Sequence, residues 1–407
     1  MADTAASRTI YDNVLRYVYT PKLWDLQNRE RIMLQIIQKN TVALKQGKRI
    51  EIPLHTSSGG GIRWSSTGAL PTTYPQATAK AYANYSKLYG KFQIDGDLLL
   101  DTDAEYAAEM SALLFEAESL VEDLADALSV DIWGDGNGRL CNVITDTTVS
   151  TTTLVVPKNG CFVKKGMIVD VLVSTTGAVT DGGQSKRVVS VTPGTTTTSV
   201  VLEAAAMTSA SHATYAIFRE GSYGAALDGI QKAIFVPGTW NTYLGINRDT
   251  AGNEYFRNQY STNSSVNREP SLDLIQEMVD TIETSSSGKV DLIICSHPIW
   301  RKLAKQLTAD KRYTGDTKLI NGWCTALQFG DNVNIIRDKS APHNKIYCLD
   351  STTWTLYQDS EGGFIDEDGQ ILRQVSGYDK FEAAWRRFVA LACADPAANG
   401  VIDDVAE

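Results

Sequence analysis

Gly134, Gly136 and Gly138 alternate within one pentapeptide, the kind of spacing found in a dinucleotide-binding loop. That chemistry needs a strand before the loop and a helix after it, so that backbone amides point at a pyrophosphate. Here a helical apolar stripe precedes the glycines and β-like runs follow, so the pattern reads as a turn. Asp366-Glu367-Asp368-Gly369 offers oxygen ligands of calcium type, yet it lacks the spacing and closing Glu of an EF-hand loop and reads as a hairpin turn. The four histidines (His55, His212, His297 and His343) are isolated from one another. The six cysteines (Cys141, Cys161, Cys295, Cys324, Cys348 and Cys393) show no CxxC and no Cys–His pairing. They read as reduced, mostly structural thiols, not as a zinc site or a disulfide framework. No GxSxG, Walker or HExxH motif occurs. Two neighbouring carboxylates suit glycoside hydrolysis, but eleven acids in one segment with no cleft signature indicate a surface. No catalytic residue, cofactor or metal site is assigned.

The chain has 407 residues, 43% apolar and 21% charged, which suggests two or three compact units of a folded protein. No run approaches the 18 apolar residues of a membrane-spanning helix, and the first residues lack a signal-peptide pattern, so synthesis in a cytoplasm is expected. The net charge of −10 is unevenly placed. Residues 1–49 hold nine basic and four acidic groups, whereas residues 101–135 hold eleven acidic groups and no Lys or Arg. Like charges on one helix repel unless cations lie alongside. Two readings follow: a solvated acidic face, or a helix that sits against basic groups of the arm or loop, from neighbouring copies. An acidic balance disfavours a generic nucleic-acid-binding domain.

The elements carrying these residues can be read from periodicity. Residues 1–46 form a polar arm with a helix in which Leu26, Ile32 or Met33, Ile36 and Ile37 share a face up to Gly47. Lys48 to Leu54 alternates as a strand. Residues 55–79 follow, with Gly59, Gly60, Gly61, Arg63 and Trp64 but almost no core-forming side chains, and a second strand returns at 88–95. Such a hairpin cannot bury itself and is expected to lean on another molecule through its tip; the other reading is a floppy surface loop. Thr102-Asp103-Ala104-Glu105 is a capping box. It opens a helix whose stripe runs from Tyr106 through Leu113, Leu120, Leu124 and Leu128 to Ile132, expected to lie across a sheet. Ser and Thr fill 23 of the 71 positions from 145 to 215, among short β-branched runs, which suggests a small β-barrel or sandwich inserted in the chain. From 225 helices and strands alternate, and 381–393 fits a helix about as well as a strand.

Order and spacing together carry a resemblance. A basic arm, the strand Ile50 to Leu54, the tip Ser58-Gly59-Gly60-Gly61 and a returning strand lead to the acidic helix ending in Trp133-Gly134-Asp135-Gly136-Asn137-Gly138. Leu244-Gly245-Ile246-Asn247-Arg248, the segment Val290 to Trp300 and Asp395-Pro396-Ala397-Ala398 follow. Over nearly the whole chain this resembles the major capsid proteins of tailed bacteriophages, with the HK97-like fold. The resemblance implies an α+β chain: an N-terminal arm (1–47), an extended β-hairpin loop (48–100), a spine helix of the peripheral domain (101–140), and an inserted β-domain (141–220). A mainly axial domain (221–349) and return strands of the peripheral domain (350–407) complete it, and 381–393 is then favoured as strand.

It also implies a non-enzymatic subunit that assembles in a bacterial host's cytoplasm into hexamers and pentamers of an icosahedral virion shell. The shell encloses double-stranded DNA without sequence-specific binding and without a membrane. A separate scaffolding protein, a portal and a decoration protein are the implied partners, and no covalent cross-link is assigned. The expected subunit contacts are Gly59, Gly60, Gly61, Arg63 and Trp64 at the tip and Glu116, Glu118, Glu122 and Asp126 on the helix. Two rivals remain open from the residues alone: a tail-associated or secreted carbohydrate-binding protein, and a hydrolase using acidic residues.

Overall fold

Alternation resolves the segment that periodicity left open. In the computed structural model Lys380–Cys393 is one 14-residue strand in which Ala383, Trp385, Arg387 and Val389 face inward at a period of two and the last five residues are buried on both faces. The structure describes residues 31–41, 49–65, 68, 70–97, 112–144, 152–179, 182–205, 215–236, 241–310, 327–329, 333–359, 362–366 and 371–407. Ser86–Asp95 pairs antiparallel with Lys380 to Val389. Trp354–Gln358, Gly363–Phe364 and Arg373–Gln374 pair with successive parts of the same strand. Gln38–Thr41 adds a parallel edge to Trp354–Gln358.

Two expectations are corrected here. The arm's helical period ends early: the helix is Ile32–Ile36, Ile37 is already extended, and 38–41 is strand because the edge of Trp354–Gln358 is free to accept it. The hairpin's returning strand is also different. Ile50–Ser57 pairs with Ala77–Ala83, and Ser86–Asp95 belongs to the larger sheet. Ala77–Ala83 offers few bulky side chains, so its strand character was weak in the sequence. The alternation of Leu88, Gly90, Phe92 and Ile94 held, but its apolar face lies against the acidic helix.

That helix, described over Ala112–Asp131, does cross a sheet. The helix packs tightly over Gly90, where an added Cβ would stand 2.7 Å from Leu124 Cδ1 and 3.0 Å from Leu120 Cδ1. Leu124, Leu128 and Ile132 are buried, whereas Leu114, Phe115 and Val121 are exposed. The proposed capping box at 102–105 and the turn at 367–369 lie outside the described residues. After Asp131 the chain turns through Gly136 and Gly138, both at positive φ, into the strand Arg139–Asn142, so the glycines serve a turn.

Six strands between Arg139 and Arg219 form a second sheet, ordered Arg139–Asn142, Tyr215–Arg219, Ile168–Val173, Lys186–Pro193, Thr197–Leu202 and Thr153–Pro157. Its first and last strands approach each other: the Ile144 amide donates to the Val155 carbonyl over 3.0 Å. Leu154, Val156, Val169, Val171, Val188, Val200, Leu202 and Ile217 fill its interior.

The third sheet runs Gln259–Ser261, Gly400–Ile402, Ile346–Leu349, Leu292–Cys295, Val333–Arg337, Leu327–Phe329. Its central strands are buried on both faces, as their unbroken apolar sequences require. Ile293, Cys295, Ile346 and Cys348 pack with the helix Leu272–Ser285, whose start Ser271 caps by accepting from the Leu274 amide over 3.2 Å. Leu292, Ile294, Tyr347 and Leu349 face the other way, onto a core shared with Leu128, Ile132, Trp133, Trp354 and Leu391. This shared core ties the acidic helix, the 14-residue strand and the third sheet together.

Candidate subunit-contact surfaces

The root of the hairpin is anchored in the core, whereas large side chains of its tip stand exposed. Ala81 and Ala83 are buried, and Ile50, Ile52 and Leu54 pack on the shared core. The Tyr82 amide donates to the Leu244 carbonyl over 2.9 Å, and the Arg49 guanidinium lies 4.2 Å above the Tyr82 ring. The receiving element is a two-residue hairpin with Leu244 and Gly245 both at positive φ. A side chain at Gly245 would overlap the Tyr82 ring. Arg248, next to this turn, is buried between Phe235 and Tyr243 and donates to the carbonyls of Ala233 (2.6 Å) and Lys232 (2.8 Å). Burial lowers its pKa to about 10. The sequence singled out Leu244 to Arg248 as a motif; its physical role is to seat the hairpin.

Beyond Ser57 the ladder ends. Gly59 and Gly60 pass under Tyr74: an added Cβ would stand 2.6 Å from the Tyr74 carbonyl oxygen at Gly59 and 3.0 Å from Tyr74 Cδ2 at Gly60. Gly61 has φ +118°, a conformation that side-chain-bearing residues rarely adopt. These glycines thus fold the tip upon itself. Arg63 is exposed, as are Ile62 (97%), Trp64 (102%), Leu70 (89%) and Tyr74 (69%). Four large apolar side chains standing in water on one projection are what a binding surface looks like in an isolated subunit. The sequence reading picked out Trp64 but missed Ile62, Leu70 and Tyr74, which are scattered along the loop and have no periodicity.

On the helix, Glu116 and Glu118 are exposed and form no ion pair among the described residues. Glu122 pairs with Arg31, whose guanidinium also donates to the Glu122 carbonyl over 2.9 Å. Asp126 is buried between Lys164 (2.5 Å) and Lys339 (3.2 Å). Burial alone would raise its pKa; the two ammonium groups outweigh it and hold the carboxyl below its usual range. Arg31, Lys164 and Lys339, the cations seen beside Glu122 and Asp126, belong to this same chain. Only Arg31 belongs to the arm; Lys164 and Lys339 stand on other elements, and no local spacing could announce them.

A second carboxylate cluster was not visible in the sequence. Glu407 pairs with His343, and accepts from Ser296 Oγ (3.0 Å) and Asn159 Nδ2 (2.8 Å). Burial opposes ionisation here, but these donors bring the Glu407 pKa from 4.5 down to about 2. Histidine and serine both face the carboxylate, so the arrangement joins the 139–219 sheet to the third sheet; it is not a serine–histidine nucleophile pair.

No known family profile matches the chain, and no curated protein matches its sequence. Solved structures do match its fold. The chain is similar to one from the "Cyanophage A-1(L) capsid asymmetric unit" at TM-score 0.61 and 12% identity, over 99% of this chain and 100% of that one. It is similar to a chain from the capsid of a native GTA particle at TM-score 0.55 and 10% identity, over the whole of both. A Gordonia phage Cozz chain matches at TM-score 0.51 and 10% identity, over 100% of this chain and 98% of that one. With so little sequence in common, what is shared is architecture: this chain has, end to end, the mixed α and β fold of phage-capsid chains.

Proposed function

We propose that this chain is the major capsid protein of a tailed bacteriophage, a non-enzymatic subunit that closes into an icosahedral shell of hexamers and pentamers around double-stranded DNA. The observation that carries the reading is the hairpin tip. It presents Ile62, Trp64, Leu70 and Tyr74 to water on a ribbon too narrow to cover them, within a fold otherwise found in capsid chains. Repetition of one modest contact around closed symmetry gives a stable particle without a strong individual interface.

In this reading residues 1–47 are the arm, 48–100 the extended loop and 101–140 the spine helix. Residues 141–220 are an inserted domain, 221–349 the axial domain and 350–407 the return strands. Leu114, Phe115 and Val121 on the exposed part of the helix extend the contact surface, beside Glu116 and Glu118. A scaffolding protein, a portal and a decoration protein are the further partners, and the finished subunit resides in the virion. Sedimentation velocity of the purified chain tests the reading. Rings or shells in equilibrium with subunits are expected; a monomer at every concentration and salt level, with and without the neighbouring phage proteins, would refute it.

A further inference from the structure

Among the thiols that the sequence presents as reduced and mostly structural, Cys141 and Cys161 bring their sulfurs to 3.6 Å. Cys141 is buried in the strand Arg139–Asn142, where the acidic helix hands over to the second sheet. Cys161 is half-buried in the loop that follows Thr153–Pro157. That loop docks the second sheet onto the rest of the molecule. Asn159 donates to Glu407, Gly160 packs on the His343 ring, and Lys164 pairs with Asp126. Cys161 thus stands between two docking contacts, facing a thiol on a fixed strand.

We infer that Cys141 and Cys161 are a redox site, which closes to a disulfide by exchange with a small-molecule disulfide such as glutathione disulfide and so staples the docking loop to its own root strand. A shift of each sulfur by under an ångström from 3.6 Å reaches the bonding distance of about 2.05 Å. The Cys161 thiolate attacks one sulfur of glutathione disulfide and expels a glutathione thiolate. Cys141, after losing its proton, attacks Cys161 Sγ in the mixed disulfide and expels the second. Two protein thiols are oxidised, one glutathione disulfide is reduced, and the two protons end on two glutathione molecules.

The chemistry of the pair supports this order. The hydrogen-bonding contact between the two thiols holds the Cys161 pKa below the usual thiol range and, with burial, raises that of Cys141. The remaining described cysteines contrast with them. Cys295, Cys348 and Cys393 are fully buried, and burial pushes each up to about 12, which leaves them inert.

The test uses the full chain, incubated at pH 8 with glutathione disulfide or with reduced glutathione, alkylated with iodoacetamide and digested with trypsin. The oxidised sample should yield residues 140–158 linked to 159–164, with a mass about 2 Da below the sum of the two free peptides. Closing this short loop should also raise the melting transition by about 3–5 °C. Cys161→Ser and Cys141→Ala should each abolish that rise while melting like the reduced wild type. Full alkylation of both cysteines after oxidation, a lasting glutathione adduct on Cys161, or equal melting of the two forms would overturn the inference. Because the linked peptide is read in wild-type protein, a variant that folds poorly leaves the result intact.

Discussion

Single residues hold this fold at points where several elements meet, and two of them make sharp predictions. Arg248 is buried with its guanidinium on two carbonyls and between two aromatic rings. Arg248→Met keeps the packing but leaves those carbonyls unpaired, so a loss of about 2–4 kcal/mol is expected, read from the urea midpoint. Glu407 makes the fold sensitive to acid. Its pKa falls from 4.5 to about 2 on folding, so its stabilisation is complete above about 4.5 and is lost as the pH drops towards 2. Glu407→Gln should therefore melt below wild type at pH 6, with the gap closing between pH 4.5 and 2; a gap that stays constant over that range would show that ionisation of Glu407 is not involved. Neither residue was legible as a site. Arg248 was noted only as part of a motif, and the partners of Glu407 lie 64, 111 and 248 positions away along the chain.

At the scale of elements, the contact between the acidic helix and Ser86–Asp95 depends on the missing side chain at Gly90. Gly90→Val would push against Leu120 and Leu124 and is expected to cost about 1–3 kcal/mol, measured by thermal or urea unfolding. The second sheet invites a bolder test. The Val143 amide donates to the Tyr215 carbonyl over 3.0 Å, so the chain enters and leaves the segment 145–214 at one place. Replacement of 145–214 by a short linker should leave a folded chain with native-like near-ultraviolet circular dichroism; an unfolded product would show that the sheet is needed by the rest. Elements were legible where one face alone is buried. Ile50 to Leu54 and Leu88 to Ile94 alternate cleanly for that reason, as does the β-rich character of 145–215. They were obscure where small residues pair, as in Ala77–Ala83, or where burial on both faces erases the period, as at the end of Lys380–Cys393. Pairing partners were the least legible, because a strand's sequence records its faces and not its neighbour.

For the whole molecule, charge and exposed apolar surface point to the same behaviour. Glu116 and Glu118 remain exposed on the helix, and such charges are screened beyond about 8 Å at physiological salt. Assembly followed by light scattering should therefore change several-fold in rate between about 0.05 and 0.5 M salt, while the tip's apolar contact sets the final extent; a rate indifferent to salt would remove the electrostatic contribution. The central claim is that this chain is a shell subunit whose hairpin tip works between copies. Electron microscopy of the expressed chain, beside a variant with residues 57–66 replaced by a short Gly-Ser turn, tests it most directly. Closed, full-sized particles from the wild type are expected, with unassembled subunits of unchanged circular dichroism and melting from the variant. Normal particles from the variant, or none from the wild type even with its phage neighbours, would contradict it.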